Sequence, residues 1–434
     1  MRYNKHWISN NKKQSPQLYI LIKTFAEPEN YLIVKNMAKK ISSIVKKNYF
    51  FITLFIFILG FFALPDDWTP HRIFYYIFGF IPVIVVSIRQ RFKTIKEQPA
   101  FWLLLLVFLS YTAVSASWSA ETGLVDAYDM FRYFLLVASF LLFITYAHEN
   151  ADTEILLRYL VLCIGGIALI NILVYYQNNP FPNARVPALS RYGEVATLGA
   201  NMYGLFAAAG LAHLLQPATR SRLHPFSFWS LIAATGILLT FLVLAQTRGA
   251  IVALTLSFGF LLMIYRHWKI LIFMGTAVIL LIVSVELTEL KIGLFERGIG
   301  SRPLIWLDAW HHVMERPFFG HGMTSSFTLD CGEKIFVHPH NVILYVLLQT
   351  GFIGLFLWLS LTAYTVHAAY KIGKNCQDWT LLTIILFGIL TMMFTSRDFL
   401  SSPNTTWLLY WLPIGLIMTK SLEIKKNFSN DWEQ

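Results

Sequence analysis

Runs of about 20 mostly apolar residues follow one another from residue 50 to residue 420 and leave this chain few folds to choose from. Inside a bilayer a backbone N–H or C=O finds no water, so such runs cross as helices whose hydrogen bonds close internally. Twelve are read here: 50–64, 73–88, 101–118, 130–147, 155–176, 195–215, 226–246, 249–266, 268–287, 340–366, 379–396 and 404–420. Only 14% of residues are charged, against about a quarter in a soluble domain. The expected fold is therefore all-α, a polytopic integral membrane protein. The 36 Phe, 20 Tyr and 13 Trp suit rings at membrane interfaces.

The net charge of +11 could suggest nucleic acid, but the basic residues collect in alternate loops. They lie in the N-terminal segment, after span 2 (Arg89, Arg91, Lys93, Lys96), after span 6 (Arg220, Arg222), after span 8 (Arg266, Lys269), after span 10 (Lys371, Lys374) and after span 12 (Lys420, Lys425, Lys426). Twelve spans place all of these on one side, which the positive-inside rule makes the cytoplasm. Both termini are expected there, as a basic segment over 1–49 and a tail over 421–434, and no nucleic-acid partner is implied. Residues 1–49 are too polar and too long for a cleaved signal peptide, and Gln17–Thr24 is too short to cross. Cys163 falls in a span, Cys376 in an inner loop and Cys331 in an outer loop without a partner, so no structural disulfide is expected.

The opposite loops are where function is sought. Residues 288–339 form the longest, between spans 1–9 (50–287) and spans 10–12 (340–420), and loops of that length are seldom idle. Within it, Leu304, Ile305, Trp306, Ala309, Trp310 and Val313 have the spacing of an amphipathic helix over Arg302–Glu315, lying on or just above the bilayer. Pro317 would end that helix, and Gly320-His321-Gly322 would make a turn.

His340 stands where this loop meets span 10. Histidine is the side chain whose unperturbed pKa lies near neutrality, so it can take a proton from an acceptor hydroxyl. Its simpler reading is a residue at the start of a helix that Asn341 caps. His338, across Pro339, either orients His340 or sits in the loop. Seven arginines lie on the same side: Arg185, Arg191, Arg248, Arg297, Arg302, Arg316 and Arg397. Short outer loops disfavour arginine, and its planar fork matches phosphate. Arg316 and Arg297 also suit side chains snorkelling to headgroups. Arg248 sits between two spans with almost no loop around it, and Arg302 opens the amphipathic helix at an end that favours anions. Arg191 is a third candidate, with Arg185 its rival. The outer carboxylates Asp308, Asp330, Glu333 and Asp398 show no paired spacing, and no zinc, Walker, dinucleotide or hydrolase motif is present, so no metal and no cofactor is expected.

Three elements together resemble the bacterial O-antigen ligase family: His340-Asn341-x9-Gly351-x2-Gly354, Thr247-Arg248-Gly249-Ala250 and Pro317-Phe318-Phe319-Gly320-His321-Gly322. The resemblance is rich in motifs from about residue 190 to 355, with Thr247 where serine is commoner. It implies transfer of a polysaccharide from undecaprenyl diphosphate to a lipid A-core sugar, on the periplasmic face of the inner membrane, without metal or nucleotide. The apolar gaps between spans would hold the two lipid tails, with membrane lipids as further partners. In that reading His340 activates the acceptor hydroxyl with inversion, and Arg248 and Arg302 bind the diphosphate. Arg191, Arg185, Asn341, His338 and Arg297 form the wider substrate-binding set, and Gly351 and Gly354 allow close helix contact. Three alternatives remain: an O-antigen polymerase using the same donor, a protein O-oligosaccharyltransferase, and a non-enzymatic transporter of lipid-linked glycan. The second is often longer, with a further periplasmic domain, and the third would need charges along a path through the spans.

Overall fold

Proline at a first turn or a polar cap at an N-terminus sets the start of several helices in this molecule. The computed structural model describes residues 48–64, 68–119, 124–148, 152–181, 185–187, 197–276, 301–330, 332, 335–395 and 400–431. Its helices are α1 (Tyr49–Ala63), α2 (Pro70–Arg89), α3 (Pro99–Ser115), α4 (Leu124–His148), α5 (Thr153–Tyr176), α6 (Thr197–Leu215), α7 (Pro225–Leu244), α8 (Arg248–Ile264), α9 (Arg302–Glu315), α10 (Val342–Cys376), α11 (Thr380–Thr395) and α12 (Leu412–Asp431). Pro99 and Pro225 stand at first turns, where a missing N–H costs nothing, and Asp152 caps α5 by accepting from Glu154 N at 3.3 Å.

Among the described residues six helices are long and apolar enough to cross a membrane: α2, α3 with its extension to Trp118, α4 from Tyr128, α5, α7 and α10. The shorter apolar helices α1, α8 and α11 stand with them. Most of expected span 9, the N-terminal segment to residue 47 and Cys331 lie outside the described residues, while Cys163 and Cys376 are free thiols. α12 runs on through Asp431 instead of giving way to a tail at 420.

The helices pack closely where side chains are small. A Cβ on Gly165 of α5 would stand 2.8 Å from that of Ala234 of α7, the kind of approach that holds helices together in lipid. Trp358, Tyr410, Trp407 and Trp411 fill the centre, with Phe57 and Tyr75. α7 packs on α5 and α6, whereas α8 packs on α6 and α11, so the chain does not simply turn back at 245–247. Gln246 takes a left-handed conformation (φ 48°) and the helix restarts in a new direction at Arg248.

Loop contacts gather at two ends. One end joins Arg185 to Ala245, Arg302 to Phe394, and Met323 to Ser115. The other joins Gln98 to Met418, Lys426 to Glu97, and Lys420 to Asp152. The basic loops and the candidate site residues therefore occupy opposite ends of the bundle.

α9 departs from the expected surface helix. Its Ile305, Ala309 and Val313 are buried against Leu347 and Leu348 of α10, with Phe327 and Leu329 closing the cluster. Leu304, Leu307, Trp310 and Met314 are exposed, so the apolar residues serve two faces. A short antiparallel ladder, Leu329–Asp330 against Ile335–Phe336, follows in the same loop and was not expected in an all-α chain.

α10 is broken at Gly351 (φ 64°, ψ −167°). Into the break docks the Pro317–Gly322 turn: Phe352 N donates to Pro317 O at 2.7 Å, His321 N to Leu348 O at 2.8 Å and Gly322 N to Gln349 O at 2.8 Å. A Cβ on Gly351 would collide with the Phe318 carbonyl, and one on Gly320 would lie 2.5 Å from Thr350 N. The expectation that Gly351 serves close helix contact is thus corrected: it lets a loop backbone enter a broken helix and bond there.

Candidate active site

The first half of α10 begins at the histidine. Asn341 Oδ1 accepts from Ile343 N at 2.9 Å and Leu344 N at 3.2 Å, which satisfies two N–H groups that open the helix. This cap uses the oxygen of a residue counted among the substrate-binding candidates, leaving the amide nitrogen to address a ligand. His340 just before it is left-handed (φ 51°), a conformation few residues other than glycine adopt. Such strain persists only where the surroundings impose it. Here the Trp306 indole N–H donates to Pro339 O at 3.0 Å, holding the carbonyl next to His340. The His340 ring, half-buried, lies 4.0 Å from that of His338 between centroids, with Phe336 edge-on at 6.0 Å. His338 is therefore in ring contact with His340.

The arginines converge from three segments. Arg248 is the first residue of α8 and Arg302 the first residue of α9. The Arg302 guanidinium donates to Phe394 O at 3.3 Å and lies 5.7 Å from the Phe394 ring centroid. Gly249 is what lets α8 approach the same phenylalanine, since a Cβ there would meet Phe394 Cβ at 2.9 Å. Burial first, and the charge of Arg248 second, push the Arg302 guanidinium below its ordinary pKa. Both arginines also stand at helix N-termini, where the backbone dipole is itself positive. Two guanidiniums at two helix N-termini give the corner a positive character suited to an anion.

Arg185 reaches the same corner. Its Nε donates to Ala245 O at 2.7 Å, and Val186 N donates to Leu244 O at 3.2 Å, so the strand of residues 185–187 lies across the end of α7. Thr247 Oγ1 shares that Ala245 carbonyl at 3.2 Å. Arg191 and Arg297 lie outside the described residues, as do Arg397, Asp398 and Glu333. Asp308 accepts from Asp330 N at 3.0 Å and Asp330 from Gly332 N at 2.7 Å, so these carboxylates serve loop structure.

Reading by residue type passed over Trp306. It lies one helical turn, about 6 Å of rise, beyond Arg302 on α9 and grips the His340 loop. α9 thus ties the arginine corner to the histidine. The only sign in the sequence is a tryptophan at a helix position that its neighbours make amphipathic.

The O-antigen ligase family profile matches residues 233–359, a stretch that contains Arg248, Arg302, Trp306 and His340. An O-antigen ligase of Pseudomonas aeruginosa is 28% identical over 377 residues, covering 85% of this chain and 89% of that protein. The chain is similar to O-antigen ligases, over this stretch by the family profile and over most of its length by that relative. A protein of Rickettsia conorii, provisionally described as a polysaccharide ligase, is 26% identical over 128 residues, or 26% of this chain and 29% of its own length. This similarity fits a multi-pass helical membrane protein of lipopolysaccharide biosynthesis.

An apolar groove of about 690 Å³ opens beside this end, lined by Tyr111, Val114, Trp118, Phe318 and Phe319 together with Arg316. It is large enough for part of a prenyl or acyl chain.

Proposed function

We propose that this chain transfers a polysaccharide from undecaprenyl diphosphate to a sugar of lipid A-core, at the periplasmic face of the inner membrane. The observation that carries the proposal is the half-buried pair Arg248 and Arg302, which open two helices beside the same Phe394 within the stretch that matches the family profile. The positive-inside bias supports the sidedness, because the basic loops gather at the end away from these residues.

In the reaction His340 accepts the proton of the acceptor hydroxyl. The oxygen attacks the anomeric carbon from the face opposite the diphosphate, and the bond from that carbon to the phosphate oxygen breaks. The electron pair leaves with undecaprenyl diphosphate, whose new charge the Arg248 and Arg302 guanidiniums stabilise. A single displacement of this kind inverts the anomeric centre. Arg185, Arg191 and Arg297 would extend the cationic surface toward the glycan-bearing phosphate, and His338 and Asn341 would order the acceptor side. The groove beside Phe318 and Phe319 supports a lipid-borne substrate.

A strain lacking the gene tests this reading through its lipopolysaccharide and its carrier lipid. The expected result is lipid A-core without glycan and long polymer left on undecaprenyl diphosphate. A core carrying a single repeat unit would instead indicate polymerisation, and an unchanged profile would end the proposal.

A further inference from the structure

At the opposite end of the bundle, α10 and α12 enclose a cavity of about 280 Å³ lined by Tyr364, His367, Ala368, Lys371, Ile372, Asn375, Ser421, Ile424 and Lys425. The α10 members recur at helical spacing and so share one face. Their chemistry is graded along it. Tyr364, with Phe101 beside it at 6.3 Å between ring centroids, and Ala368 form an apolar wall toward the middle of the bundle. Lys371, Asn375, Ser421 and Lys425 supply charge and hydrogen-bond donors toward its end, about 16 Å further along for Asn375.

Nearby lysines outside the cavity are paired with carboxylates. Glu97 pairs with Lys93 at 3.7 Å and Lys426 at 3.1 Å, and Lys420 pairs with Asp152 at 3.4 Å and Glu423 at 2.9 Å. Among the described residues Lys371 and Lys425 have no carboxylate partner; Lys425 meets only the Glu97 backbone carbonyl, at 3.4 Å. Among the described residues no carboxylate lines the cavity. Basic pockets between membrane helices at such an end receive anionic lipid headgroups.

We infer that this cavity binds an anionic phospholipid, its phosphate at Lys371, Asn375, Ser421 and Lys425 and one acyl chain along Ala368 and Tyr364. The site is separate from the arginine corner, and the inference does not depend on what is transferred there. A lysine that only snorkels would show no lipid preference of its own, which makes the distinction measurable.

The test is native mass spectrometry of the full chain in neutral detergent, offered phosphatidylglycerol or phosphatidylcholine of the same acyl composition. Phosphatidylglycerol is expected to be retained preferentially. The preference should fall about fivefold for each of Lys371→Gln and Lys425→Gln, the equivalent of about 1 kcal/mol per basic residue near an anionic surface. Lys93→Gln, which removes a charge outside the cavity, should leave it unchanged, and Ala368→Trp should weaken lipid without adding or removing charge. Equal retention of the two lipids, or an equal loss in Lys93→Gln, would overturn the inference. Displacement of the lipid by inorganic phosphate would show a free-anion site and overturn it as well.

Discussion

At the scale of single residues, the half-buried Arg302 is held in an environment that disfavours its charge, by burial and by Arg248. Perturbed groups of this kind cluster at functional sites. A lysine in its place keeps the charge but loses the planar fork that grips Phe394 O and would grip phosphate. Arg302→Lys and Arg302→Ala are both expected to lower transfer by about 10²-fold, the usual loss for one transition-state donor. Full transfer by Arg302→Lys with purified donor and acceptor would remove the bidentate role. Trp306→Phe keeps the ring and deletes one hydrogen bond to Pro339 O. It should lower kcat about 3- to 10-fold, from about 1 kcal/mol of positioning, with little change in the KM for the lipid-linked donor. A change confined to KM would mean that Trp306 acts on binding and not on the histidine.

At the scale of elements, the break in α10 organises this end of the molecule. Its first half presents His340 at one end and receives α9 and the Pro317–Gly322 turn along its length. Gly351→Ala forces a side chain into a left-handed residue and onto the Phe318 carbonyl. It is expected to cost about 1–3 kcal/mol and to lower the melting temperature or the amount of folded protein in the membrane. Gly236→Ala in α7, where an added Cβ meets nothing within 4 Å, should be neutral or slightly stabilising. Similar losses for the two would contradict the docking role of Gly351. These elements also show what the sequence could disclose. The six helices long enough to cross are legible because a bilayer imposes length and apolarity, and α9 because its spacing repeats at the helical period. The break is not legible, since glycine is ordinary in membrane helices and its φ here is imposed by a turn some 30 residues earlier. The buried face of α9 is equally silent, because Ile305, Ala309 and Val313 would suit lipid as well as Leu347 and Leu348.

At the scale of the whole molecule, the two ends are built from different chemistry. One gathers half-buried arginines at helix starts; the other ties several of its charges into a network. There His148 Nε2 meets Glu423 Oε2 at 2.8 Å, Thr153 Oγ1 meets His148 Nδ1 at 2.9 Å, and Lys420 lies between Asp152 and Glu423. His148, Asp152 and Glu423 are the group with metal-like spacing among the described residues, and Lys420 already supplies their positive charge. Burial acts to raise the Glu423 carboxyl, but the hydrogen bonds from Lys420 and His148 outweigh it and hold that carboxyl below its ordinary value. A depressed carboxyl adds stability above the unfolded-state pKa and loses it as pH falls through the folded-state value. The melting temperature should therefore drop on acidification below about pH 4.5, and Glu423→Gln should flatten that drop. An equally steep curve for the variant would contradict it. The candidate arginines and histidine come from their motifs, whereas the placement of Arg185 against Ala245 comes only from the packing of residues 185–187 across α7.

The most direct measurement is transfer by the purified full chain, supplied with undecaprenyl-diphosphate-linked polysaccharide and lipid A-core, with His340→Ala beside the wild type. The wild type should form glycan-bearing lipid A-core without added nucleotide, and His340→Ala should form about 10²- to 10⁴-fold less while remaining folded. Undiminished transfer by His340→Ala would contradict the account.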